Sequence, residues 1–240
     1  RIFGHGRNVH NRGTLFATIN LGSFKLLRLK SLTGEPSMYA FTILPFWIYA
    51  LHSRKFKTTL ILFISLIFTI STTAYFGIII YLILNLLIKQ EITRISKITL
   101  ATLFFVSIAV IIYWEEIVQI YKIVIVAKLT LQELSGIDRF GNFQTHLTYF
   151  FDMNFINQFF GVGFGTIRST ELFTTLLVNT GIIGICIFTT LFLYPIIQLK
   201  RNNRNNGIKL ALMVTLIMGM ISVPEFSYLS MWIILGIAYN

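Results

Sequence analysis

Charge is what this 240-residue chain has least of: Asp, Glu, Lys and Arg together make 12% of it, against 55% hydrophobic residues. Soluble domains carry about a quarter charged residues, so this composition excludes an ordinary soluble enzyme and a disordered tail alike. Acids are scarcer still, nine against 20 Lys and Arg, for a net charge of +11. A basic groove for nucleic acid needs a polar surface to sit on, and there is little of one, so nucleic acid is not an expected partner. One Cys, Cys186 in an apolar run, and four His rule out a cysteine zinc site and an intrachain disulfide, and no metal is expected. Repeats, heptads, low-complexity tracts and soluble linkers are also missing, which leaves a single integral membrane domain over 1–240. The first residue is Arg1, with neither Met nor a signal-peptide pattern, so the expectation is the C-terminal portion of a longer protein.

What the chain does have is long apolar runs. A bilayer core takes about 20 helical residues, fewer where flanking groups snorkel. Seven segments qualify: 37–52, 58–73, 74–88, 98–114, 170–198, 208–223 and 226–240. The reading is an all-α membrane protein, a polytopic helical bundle of about seven transmembrane helices with a large outer loop at 115–169. Pro36 stands in the first turn of the first span, where its missing N–H costs nothing. Ser71, Thr72 and Thr73 divide the apolar stretch 58–88 into two helices joined by an almost loop-free turn.

Three short loops fall on one side by parity. They hold Arg54, Lys55, Lys57, Lys89, Arg94, Lys97, Lys200, Arg201, Arg204 and Lys209 against the single acid Glu91. Density of Lys and Arg in short loops marks the cytoplasmic side. The segment 117–131 is apolar but interrupted by Lys122 and Lys128, and is read as an interfacial or re-entrant helix at the outer surface, because a crossing there would put the 200–209 loop outside.

Charges kept at the outer edge of the membrane are candidates for function. The first group is Arg28, Lys30 and Glu35 before Pro36 and Ser37, where a helix N-terminus and two cations would suit a phosphate; the plain alternative is a helix start with cations meeting lipid headgroups. The second is Arg139, after Asp138 and before the aromatic-rich stretch 140–160, with a surface pair as its alternative. His146 in that stretch is either a base or a structural histidine. The third is Gly161, Gly163 and Gly165 in a G-V-G-F-G loop followed by Arg168. It is no dinucleotide fingerprint, but its backbone N–H groups could form an anion nest, or it could be a tight turn with a Ser169 or Thr170 cap on the next helix. Glu171, at the mouth of that helix, is either a general base or a first-turn acid favoured by the dipole. Glu225, between the last two spans, is exposed enough to ionise cheaply.

In their order and spacing these motifs resemble those of the O-antigen polymerase and ligase superfamily of bacterial envelope membrane proteins. The stretch R-x-x-S-L-x-x-E-P-S (Arg28, Ser31, Leu32, Glu35, Pro36, Ser37), the loop Arg139 about twenty residues before G-V-G-F-G, and the later Gly181 and Gly184 pair carry the likeness, which covers about residues 15 to 240. It implies a metal-independent, cofactor-free glycosyltransferase at the outer face of the bacterial inner (plasma) membrane. That enzyme would polymerise undecaprenyl-pyrophosphate-linked oligosaccharide repeats into O-antigen, capsule or exopolysaccharide, with flippase and chain-length regulator proteins as partners. By the same likeness Arg28 and Arg139 grip the pyrophosphate, with Lys30 and Arg168 as weaker supports. Where ligases carry a His-Asn pair, this chain has Thr170 and Glu171, which favours polymerase over ligase and makes Glu171 the candidate base. A transporter of lipid-linked sugar is the alternative from another class, although the spans are nearly free of charge.

Overall fold

The computed structural model describes residues 14–21, 24–87, 134–200, 202–222 and 226–240, with backbone alone at 19–21, 24–26 and 134–139. Most of what is described is helix. The elements are β1 (Phe16–Leu21), β2 (Phe24–Leu29), α1 (Pro36–His52), α2 (Phe56–Phe68), α3 (Thr72–Leu87), α4 (Leu134–Asp152), α5 (Phe155–Phe160), α6 (Leu172–Gln198), α7 (Asn203–Ser222) and α8 (Leu229–Tyr239). The expected span 98–114 and the interfacial segment 117–131 lie outside the described residues.

α1 begins as its sequence demands: Glu35 occupies the cap position in extended conformation and Pro36 the first turn. The apolar stretch 58–88 is broken where a polar cluster interrupts it. α2 ends at Phe68, Ile70 takes a left-handed φ of 43°, and α3 starts at Thr72, so the break falls at Thr69–Ser71, slightly earlier than the triad 71–73 suggests.

The structure corrects the all-α expectation in its first segment. β1 and β2 pair antiparallel with Leu21 opposite Phe24 and Phe16 opposite Leu29. The physical reason lies in the sequence: a Gly-Ser pair between two short runs of β-forming residues is a hairpin signal. Within 115–169, read as loop, α4 and α5 are regular helices.

α1 and α7 carry most of the core, α1 through Phe41, Leu44, Trp47 and Ile48 and α7 through Leu210, Ala211, Leu212 and Val214. They pack on each other, with α3, α6 and α8 against this pair and α2 against α1. The outward sides of α2 and α3 are apolar as well, with Ile61, Ile64, Phe68, Phe76, Ile79 and Ile83 exposed. A helix that is apolar all round belongs in a large core or a bilayer. By length and composition α6 and α7 are able to cross a membrane, and α2, α3 and α8 are shorter apolar helices. Hydroxyls inside these helices turn back on their own backbone: Ser65 donates to Ile61 O, Thr180 to Leu176 O and Thr215 to Ala211 O. This habit satisfies a hydroxyl where no water is at hand.

The two ends of the bundle differ in charge. At one end His52 Nε2 lies 3.1 Å from Tyr81 Oη, and Arg204 Nε donates to Tyr49 Oη at 3.1 Å. Arg54, Lys55 and Lys57 follow α1 there, and Lys200, Arg204 and Lys209 surround the start of α7. At the other end Gly219 of α7 faces Leu172 at the start of α6 and Phe41 near the start of α1. The Phe41 and Tyr228 rings pack edge to face with centroids 5.4 Å apart.

The basic end contains a tight helix crossing. A Cβ on Gly207 would come within 2.5 Å of the His52 Cβ, an atom too near the α1 backbone to swing aside. Gly207→Ala should therefore push α1 and α7 apart and destabilise the protein by about 1–3 kcal/mol, the usual range for overpacking. Unfolding in detergent measures this, and an unchanged midpoint would mean that the helices do not meet at Gly207.

Candidate active site

The end of the bundle opposite the basic loops carries most of the candidates with described side chains. Arg28 lies on β2 and donates from Nε to the Thr69 carbonyl at 3.0 Å, tying the hairpin to the turn between α2 and α3. Lys30, at the end of the hairpin, is buried, and its carbonyl accepts from Thr33 Oγ1. Glu35 is exposed at the cap of α1 and accepts from Ser37 Oγ at 3.3 Å. Arg139 lies on α4 with its side chain outside the described residues, as is Glu225 entirely.

A second group is built by α6 and the loop before it. α6 is two helices joined at a break: Gly181 has φ 66° and ψ −170°, outside helical space. At a break the preceding carbonyls lose their helical partners, and here the glycine loop supplies new ones. Val162 N donates to Val178 O at 3.0 Å and Gly163 N to Asn179 O at 3.1 Å. Gly161 and Gly181 meet back to back, so that a Cβ on Gly161 would overlap the Asn179 carbonyl and one on Gly181 the Phe159 carbonyl. Both also have positive φ, and glycine is required twice over.

This docking changes what the loop offers a ligand. Gly161 N donates to Asn157 O at 2.7 Å, and the N–H groups of Val162, Gly163, Thr166, Ile167 and Ser169 are likewise used within the protein. The part that Gly161 plays here is to let the loop lie against the broken helix, and an open anion nest does not form at these donors. Gly163 and Gly165 carry the loop through positive φ, with Phe164 between them exposed and its ring centroid 4.7 Å from that of Phe226. Arg168 is exposed on the same loop.

Glu171 sits at the cap position of α6 with extended backbone, φ −135° and ψ 159°. The expected Ser169 or Thr170 cap is therefore not the arrangement found: both residues precede the cap and turn their hydroxyls onto the acid. Only 6% of Glu171 is exposed. Ser169 Oγ donates to its Oε1 at 2.8 Å, Thr174 Oγ1 donates to the same oxygen, and Thr170 Oγ1 donates to Oε2 at 2.7 Å. A buried carboxylate needs such donors to offset its lost hydration. Oε1, with two hydroxyls, is the more fully occupied oxygen, and Oε2, with the hydroxyl of half-buried Thr170, is the one with lone-pair capacity for a further hydroxyl. An alcohol that reached Oε2 would find a hydrogen-bond acceptor there.

Thr174 and Thr175 near Glu171, and Asn179 one turn further on, carry no signal of their own in the sequence. The spacing S-T-E-x-x-T, with the second Thr three residues after the acid, is the one that could have found the first of them. Among the described residues no three His, Cys, Asp or Glu side chains cluster as metal ligands would. Together the elements define a helical bundle with membrane-grade helices and a polar site at one end. Comparison with family models, with curated proteins and with solved structures returns no match.

Proposed function

We propose that this chain is a polysaccharide repeat-unit polymerase of the O-antigen polymerase and ligase type. In this reading it crosses a bacterial inner (plasma) membrane about seven times, the basic end lies in the cytoplasm, and the Glu171 end faces the periplasm or cell exterior. The donor is an oligosaccharide on undecaprenyl pyrophosphate, and the acceptor is the non-reducing end of a second lipid-linked repeat. The observation that supports this most is the buried Glu171 carboxylate, ringed by three hydroxyls at the end of the bundle away from the basic loops.

The chemistry follows from that placement. An acceptor hydroxyl within hydrogen-bond reach of Oε2 gives its proton to Glu171 as its oxygen bonds to the anomeric carbon. The bond from that carbon to the pyrophosphate breaks, and undecaprenyl pyrophosphate leaves with the electron pair. Guanidinium groups are suited to the charge that develops on it, since they pair with phosphate oxygens in a planar fork. Arg28 has its Nε on Thr69 O, which anchors the guanidinium at this end of the bundle, and in this reading that guanidinium would meet a phosphate. Arg139 and Arg168 are the further cations in this role, and Lys30 a supporting charge.

Two other readings compete with this one. A ligase would move the glycan to a different lipid acceptor; the chain has Thr170 and Glu171 where a His-Asn pair is expected of that branch. A transporter draws support from the break in α6 at Gly181, since discontinuous helices line transporter sites. Purified protein in vesicles with a defined undecaprenyl-pyrophosphate oligosaccharide separates the three. A ladder of lengths is the expected result; single transfer to another lipid means ligase, and movement without a new glycosidic bond means transporter. In the same assay Arg28→Ala and Arg139→Ala should each abolish polymer while the protein still inserts. Polymer of normal length in either variant would remove that arginine from the pyrophosphate site.

A further inference from the structure

We infer that Asn179 is a positioning residue that clamps the glycine loop to the broken helix and thereby sets where Arg168 and Glu171 stand. The inference rests on the transferase reading of that site. Asn179 is buried, and its amide is used on both sides. Oδ1 accepts from Ile167 N at 2.9 Å, while Nδ2 donates to Ile167 O at 2.6 Å and to Thr175 O at 2.7 Å. The orientation of the amide is fixed by its partners: the Ile167 N–H only donates, and the two carbonyls only accept. One side chain thus holds both backbone groups of a residue twelve positions away, as a neighbouring strand would.

The clamp continues toward the acid. Thr175 Oγ1 accepts from Ser169 N at 3.1 Å and donates to Glu171 O at 2.7 Å. Arg168 therefore stands between two pinned residues, Ile167 and Ser169, with its own side chain outside. Ser169 Oγ, placed by the same contact, is one of the donors on Glu171. The backbone of Asn179 completes the arrangement by accepting from Gly163. Between the clamped ends lie residues 164–166, with Phe164 exposed. Loss of the Asn179 amide would leave buried groups of Ile167 and Thr175 unmatched and free the segment that carries the cation and orients the acid.

Asn179→Asp tests this at nearly constant volume. The carboxylate still accepts from Ile167 N, but it sets an acceptor against the two carbonyls. The full chain is reconstituted in vesicles with Cys186→Ser, and a nitroxide at Phe164→Cys reports loop motion; turnover is measured without the label. The expected result is a shift from slow to fast nitroxide motion, together with a kcat lower by about tenfold or more and a donor KM within about twofold, since small misplacement of reacting groups acts on turnover. An unchanged nitroxide spectrum would overturn the clamp. A loosened loop with unchanged kcat would overturn the positioning role and leave the transferase reading intact. No glycan transfer by the parent protein would defeat the transferase reading and the positioning role together, while the nitroxide would still report whether Asn179 holds the loop.

Discussion

Gly161→Ala is expected to unfold the junction between the glycine loop and α6, at a cost of about 3 kcal/mol or more. Two independent penalties combine. The residue has φ 77°, a conformation that L side chains rarely adopt, and a Cβ would overlap the carbonyl of Asn179, which belongs to backbone and is held by Gly163 N. No side chain can rotate to make room. Gly181→Ala meets the mirror of this problem, with φ 66° and the Phe159 carbonyl in the way. Each variant should show a lowered unfolding midpoint in detergent and early proteolytic cleavage at 161–169. Gly165→Ala, at φ 82° but with open space around it, should suffer only the backbone penalty. Equal stability of Gly161→Ala and Gly165→Ala would mean that the loop and the helix do not touch through their backbones.

Glu171→Gln should lower glycan transfer by about 10²-fold or more, the usual weight of a general base, with donor affinity unchanged. Glutamine is the informative replacement because it keeps the shape of the buried side chain. Its carbonyl retains the hydroxyls of Ser169 and Thr174, and the Thr170 hydroxyl has only to rotate to accept from the amide. Alanine would instead leave the hydroxyls of Ser169, Thr170 and Thr174 without this acceptor, and a loss of activity would then say little about proton transfer. Transfer at the parent rate by Glu171→Gln would take the base from this residue and leave it a structural cap.

What could be read in advance depended on how local its cause is. The start of α1 was legible because Pro36 and the residues beside it suffice to set it. The interruption of 58–88 was legible because hydroxyl residues break an otherwise uniform apolar run. The hairpin was overlooked although its signal is local: Gly22-Ser23 lies between two short β-forming runs, but the apolar length of the helices dominated the reading. Six of the seven expected spans correspond to helices among the described residues, yet only α6 and α7 have the length and apolarity of a span on their own. The break at Gly181 was not legible at all. A G-x-x-G pair reads as close helix packing, and nothing within α6 says that a loop twenty residues earlier will dock there. For the same reason Asn179 was invisible: its partners Ile167 and Thr175 lie on opposite sides of the helix start.

The break in α6 also bears on how such a helix could be put into a membrane. In a bilayer and without its loop, a helix interrupted at Gly181 would present the carbonyls of Val178 and Asn179 to hydrocarbon, where each unsatisfied group costs several kcal/mol. α6 alone is thus a poor substrate for lateral release into lipid, however apolar its side chains. The N–H groups that cover those carbonyls belong to Val162 and Gly163, which precede α6 in the chain and leave the ribosome first. Synthesis order thus delivers the cover before the segment that needs it.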